Sequence, residues 1–140
     1  MMISYTEKMS AEEYNELRLS VDWKPLTSGQ AERGLAHTAF VVVARDDENI
    51  VGMGRMLFDF GYTAYLGDVI VRPEYQGQGI GTEIVTRLKD RVMEAAEPGD
   101  KIMFILGAAK GKEAFYEKFG FKQRPNDFSG SGMSMWKTKE

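Results

Sequence analysis

The chain has 140 residues, 43% hydrophobic and 28% charged, with 18 basic against 21 acidic side chains and a net charge of −3. It holds no cysteine and a single histidine, His37, which excludes a disulfide scaffold, a thiol nucleophile, an iron–sulfur cluster and any cysteine- or multi-histidine-based metal site, so no metal is expected. A well-mixed acidic surface argues against nucleic acid as a partner, and no apolar stretch reaches the ~20 residues that span a bilayer, so no membrane partner and a cytoplasmic location are expected.

The length is that of one domain, residues 1–140, with one core. Ile3 to Thr6 reads as a short strand. Ser10-Ala11-Glu12-Glu13 is a capping box, and Ala11, Tyr14, Leu17 and Val21 follow at helical spacing. Thr27 caps a second helix through about Ala36. Phe40 to Ala44 is rich in β-branched residues and predicts a strand. The charged run Arg45 to Asn49 predicts a hairpin turn into a strand over Ile50 to Phe58. A third strand covers Tyr62 to Val71, stopped by Pro73.

Next comes a glycine-rich turn, Gln76-Gly77-Gln78-Gly79-Ile80-Gly81, and a long helix with Ile80, Ile84, Val85, Leu88 and Val92 on one face. Ile102 to Leu106 is a continuous apolar run, which predicts a strand buried on both faces. A short helix is expected from about Lys110 to Lys118, closed by Gly120. Met133 to Thr138 predicts a last strand. The fold class is α/β: a mixed antiparallel and parallel central sheet with helices on both faces, the second half forming a right-handed strand–helix–strand crossover.

Strand, glycine turn and helix start together make an anion site, because the first amides of a helix lack intrahelical partners. A nucleotide-binding Walker loop is excluded, since Gly81 is followed by Thr82-Glu83 rather than Lys-Ser/Thr. The dinucleotide fingerprint fails at Thr82, where it needs glycine.

The remaining pattern, Gln76 to Gly81 after an apolar strand, resembles the acyl-CoA pyrophosphate loop of the GNAT N-acetyltransferase superfamily. Ala114-Phe115-Tyr116-Glu117-Lys118-Phe119-Gly120-Phe121 is similar to that superfamily's later motif. The two motifs stand in the family's order, with one helix and one strand between them.

The resemblance implies a GNAT-like fold and acetyl transfer from acetyl-CoA to a primary amine, by direct attack in a ternary complex. The alternative is an acyl-CoA-binding sensor or partner-binding module without turnover. The resemblance places the pantetheine arm along Val69, Ile70 and Val71, with a Val69 or Ile70 amide polarising the acetyl carbonyl. The pyrophosphate falls on the amides of Gln76, Gly77, Gln78, Gly79, Ile80, Gly81 and Thr82. Lys112 and Phe115 are implied as further CoA contacts, and Gly111 stands where the superfamily often has asparagine. Tyr116 is implied as the acid that protonates the leaving thiolate, its phenol having a reference pKa of about 10.

Asp68 enters the pantetheine strand in otherwise apolar surroundings and is the candidate base for the incoming amine. Pairing with Arg72 or a backbone amide is the structural alternative. The acceptor is expected to be a small-molecule amine, with a protein amine open, and a homodimer is compatible with the resemblance. His37 reads as a helix-end or surface residue, and Tyr14, Trp23 and Met133 to Trp136 as core.

Overall fold

The computed structural model describes residues 2–140. The elements in chain order are β1 (Ile3–Thr6), α1 (Ala11–Ser20), α2 (Ser28–Ala36), β2 (Phe40–Asp46), β3 (Asn49–Phe58), β4 (Thr63–Val71), a 3-10 turn (Pro73–Tyr75), α3 (Ile80–Ala95), β5 (Met103–Leu106) and α4 (Glu113–Glu117).

The predicted capping box forms at the start of α1. The Ser10 hydroxyl accepts from the Glu13 amide at 3.1 Å, and the Glu13 carboxylate accepts from the Ser10 amide at 3.0 Å. Arg45 of β2 donates to the same carboxylate at 2.5 and 3.1 Å, which ties the helix start to the sheet. Thr27 caps α2 as expected, and His37 closes it, with its Nδ1 2.8 Å from the Arg33 carbonyl.

The strands lie in the order β1-β2-β3-β4-β5, and the first three pairings are antiparallel. Asp47 turns the β2–β3 hairpin with a left-handed φ of 55°. The crossover through α3 returns the chain beside β4, where the Met103 amide donates to the Tyr62 carbonyl at 2.7 Å.

Alternation along the strands gives each sheet face its own helices. Met53 faces α1 and α2 in a cluster with Tyr14, Leu17, Ala31, Val43 and Ile70. Gly52 and Gly54 face α3, whose Ile80, Ile84, Val85, Leu88 and Val92 are all buried. Gly54 is glycine for lack of room: a Cβ there would stand 2.6 Å from Ile84 Cγ2 and 3.0 Å from Leu88 Cδ1. Both neighbours are fully buried. Gly54→Ala should therefore cost about 1–3 kcal/mol by overpacking, read as a lower urea midpoint at unchanged slope.

Tertiary contacts divide the chain into two compact units, one running to Ile105 and one comprising Leu106–Glu140. Three sequence expectations are corrected. First, β5 is the edge strand of this sheet: Met103 is exposed and the next three residues only half-buried, so its apolar run is not covered on both faces. Second, α4 begins at Glu113 because Gly111 adopts φ +89°, which a right-handed helix does not admit. Third, Met133 to Thr138 forms no strand. Met133 and Trp136 are each 96% exposed, so they are not core. β-propensity without a partner ladder does not repay the entropy of extending the chain. No helix among the described residues is long and apolar enough to cross a membrane.

Candidate active site

The glycine turn is built for close approach. Gly77 and Gly79 have φ of +78° and +85°, and a Cβ added at either would meet nothing within 4 Å. Gly79 is the N-cap of α3 and brings no side-chain cap. The Glu83 amide is the one that reaches the Gly79 carbonyl, at 3.1 Å. The amides of Ile80, Gly81 and Thr82 therefore precede the helical ladder, at the positive end of the helix dipole. Gln76 folds back on the end of β4, its Nε2 donating to the Val71 carbonyl at 2.9 Å. Open space over left-handed glycines, followed by uncapped amides, fits a diphosphate.

On β4 the register shifts opposite Met53/Arg55: Met53 pairs with Ile70 and Arg55 with Gly67. Asp68 and Val69 fall in this bulge, Asp68 with a left-handed φ of 50°. The bulge presents Gly67 and Asp68 to the α1 side, whereas Val69 meets the α3 side, its Cγ2 lying 3.6 Å from a Cβ built on Gly54.

The surroundings of Asp68 correct the sequence expectation. They are not apolar. Its Oδ2 accepts from the Tyr14 hydroxyl and from Arg55 Nε at 2.7 Å, and Arg18 Nη1 stands 3.9 Å from Oδ1. Arg72, the partner considered from sequence, instead donates to the Ile50 carbonyl at 2.7 Å and pairs with Glu16 at 3.2 Å.

Arg55 also donates to Thr38 Oγ1 at 3.0 Å. Burial is the largest single effect and works against its charge, but the hydrogen bond to Asp68, the charge of Asp68 and the Tyr14 hydroxyl together outweigh it, and its pKa rises. For Tyr14 burial and the Asp68 carboxylate act together and push the phenol up to about 12.

A phenol with a folded pKa near 12 and an unfolded one near 10 adds stability that is whole below pH 10. It is lost as pH rises toward 12, by about 2–3 kcal/mol. Urea unfolding at pH 9 and pH 12 should show this loss in the wild type and a smaller one in Tyr14→Phe.

Tyr116 and Phe115 lie on α4 in the second unit, where an aromatic cluster fixes them. The Phe115 ring sits 5.0 Å from Tyr116 and 5.4 Å from Phe119, and Tyr116 lies 6.2 Å from Phe121. Burial pushes the Tyr116 phenol above its ordinary value, so it keeps its proton at neutral pH. Lys112 is the exposed residue before α4, and Gly120 ends the turn with φ +97°.

The description "Acetyltransferase (GNAT) domain" matches residues 37–123. The chain belongs to the GNAT acetyltransferase family. It is similar to an uncharacterised N-acetyltransferase, ycf52, of Porphyra purpurea, with 26% identity over 132 residues, 91% of this chain and 74% of that protein. The chloroplastic GCN5-related N-acetyltransferase 2 of Arabidopsis thaliana is 33% identical over 86 residues, 61% of this chain and 32% of that protein. Among solved structures, a Staphylococcus aureus protein of unknown function described as a probable acetyltransferase superposes with a TM-score of 0.85 at 28% identity, covering 96% of this chain and all of that one. This chain is thus an acetyl-CoA-dependent acetyltransferase with a mixed α/β GNAT fold.

Within the GNAT fold, β4, the bulge and the glycine turn occur together in the first unit, and Tyr116 belongs to the second. Sequence reasoning missed Tyr14, Arg18 and Arg55 as partners of Asp68. Tyr14 and Arg18 stand four residues apart on α1, so they share a helix face. Tyr14 is a tyrosine in a row otherwise suited to aliphatics, which is the one trace of the cluster in sequence.

Proposed function

We propose that this GNAT protein is one acetyltransferase domain over residues 1–140 that binds acetyl-CoA on the Gly77–Thr82 turn and transfers its acetyl group directly to an amine. The observation that carries the reading is the pair of left-handed glycines with open space above them, running into the uncapped start of α3. Acetyl-CoA supplies the acetyl group as an activated thioester. The amides of Gln76 through Thr82 hold the diphosphate, and Val69, Ile70 and Val71 offer backbone pairing to the pantetheine arm. An amide of Val69 or Ile70 polarises the acetyl carbonyl. Lys112 and Phe115 add contacts to the cofactor's outer parts.

Tyr116 gives its phenolic proton to the departing sulfur as the carbon–sulfur bond breaks. Burial, which keeps that phenol protonated, supports the role. The acceptor attacks as the free amine, its nitrogen forms the new bond to carbon and gives its extra proton to solvent, and solvent returns a proton to the Tyr116 phenolate. Asp68 serves as a positioning residue in this reading, since one of its oxygens already accepts from Tyr14 and Arg55.

The test is calorimetric titration of CoA, with thiol release from acetyl-CoA measured over a panel of amines. Wild type should bind CoA and release thiol only with amine present. Gly79→Val, strained at φ +85° and filling the cradle, should weaken CoA by about tenfold or more. Absence of CoA binding would overturn the reading, and binding without turnover on any amine would leave the protein a CoA-binding module.

A further inference from the structure

The α1-facing side of the bulge carries more positive charge than it neutralises. Asp68 is the one carboxylate shared by Arg18 and Arg55, and these side chains are 17%, 14% and 22% exposed. Tyr14, the fourth member, is neutral at physiological pH because its phenol titrates near 12. The group therefore holds a net charge of about +1 in a half-buried place, where screening is weak.

The surplus sits on Arg18. Its Nε donates to the Lys24 carbonyl at 2.8 Å, which orients the guanidinium. Its Cζ lies 5.6 Å from the Trp23 ring centre and 5.9 Å from that of Tyr14. Its approach to Asp68, at 3.9 Å, is outside hydrogen-bond range. Arg55, by contrast, spends its Nε on Asp68 and its Nη1 on Thr38. Arg18 is thus a rigid planar donor with hydrogen-bonding capacity to spare, the form in which arginine recognises carboxylates.

Beside this cation the same sheet face turns apolar. Pairing places Arg55 opposite Gly67 and Leu57 opposite Tyr65, so all four share the α1-facing side. Leu57 and Tyr65 are each 41% exposed. The Tyr65 ring lies over Gly67, 3.4 Å from where a Cβ would stand. A cation with spare donors next to an exposed aromatic and aliphatic pair is complementary to a small molecule bearing an anion and a hydrocarbon portion. It repels a polyamine, whose only charges are positive.

We propose that the acceptor is a small amine that also carries a carboxylate, held by Arg18 with Arg55 behind it, its hydrocarbon part lying on Leu57 and Tyr65. This rests on the acetyltransferase reading above, and it makes Arg18 a specificity-determining residue.

Matched compounds test it without changing the protein: free amino acids and lysine-like diamino acids against their carboxamides, with spermidine and an amino-sugar phosphate as further arms. Each is assayed for thiol release from acetyl-CoA and, separately, by calorimetric titration onto the CoA complex. At least one carboxylate should exceed its carboxamide in kcat/KM, and in affinity, by about tenfold or more. Arg18→Gln should erase that difference mainly through KM, with CoA binding unchanged, and Arg18→Lys should restore part of it.

A phosphate arm that outperforms every carboxylate would overturn the carboxylate assignment. Equal or better use of carboxamides or spermidine would overturn anion recognition altogether. A carboxylate that binds in preference to its amide yet yields no turnover would sustain the binding site while overturning the acetyl-transfer reading, so the two failures are told apart.

Discussion

Asp68→Ala should lower the unfolding free energy by about 2–4 kcal/mol, somewhat below the range for breaking a fully buried ion pair because this one is partly exposed. Two guanidiniums, Arg18 and Arg55, would then face each other with no carboxylate between them, and the Tyr14 hydroxyl would lose its acceptor. All three lie within the fold, Tyr14 being only 1% exposed, so water makes up little of the loss. Asp68→Asn separates charge from geometry. It keeps an oxygen that accepts from Tyr14 and Arg55, and asparagine tolerates the left-handed φ of 50°. Its cost should fall between those of wild type and alanine. Equilibrium urea unfolding of the three proteins gives the comparison, and a loss under about 1 kcal/mol in Asp68→Ala would assign the cluster to solvent-screened surface pairing instead.

How legible each part was in the sequence follows from how local its cause is. The capping box at Ser10, the Thr27 cap and the buried face of α3 needed only neighbours within one or two helical turns, and each forms where the pattern places it. The hairpin between β2 and β3 was equally local. The glycine turn was legible because only glycine takes a φ near +80° without strain, so Gly77 and Gly79 announce their own backbone.

What was not legible depends on contacts far apart in the chain. The neighbours of Asp68 come from α1 and β3, 54 and 13 residues away for Tyr14 and Arg55. A carboxylate flanked in sequence by Gly67 and Val69 looks apolar, and the β-bulge that turns it toward Arg18 is set by cross-strand register. The apolar run at Ile102 to Leu106 and the expected strand at Met133 to Thr138 misled for a related reason. Apolar character states what a segment would bury, but the sheet order decides whether anything is there to bury it, and β5 lies at the edge.

Tyr116→Phe should reduce kcat by about 100-fold at pH 7, the lower bound of the range for losing a general acid, while leaving CoA affinity within about twofold. The substitution keeps the ring and its packing against Phe115 and Phe121 and removes only the hydroxyl. Stability should therefore change little, and reduced activity cannot be charged to unfolding. The pH profile carries the sharper prediction. Burial raises the Tyr116 phenol above its ordinary value of 10, so the wild-type enzyme should keep its donor across the neutral range. Its rate should fall on the alkaline side only above pH 10, as the phenol ionises and has no proton to give. Tyr116→Phe should lack that alkaline limb and hold its reduced rate level above pH 10. A variant with unchanged kcat, or one that retains the wild-type alkaline limb, would remove Tyr116 from proton transfer and leave its ring a packing element of the second unit.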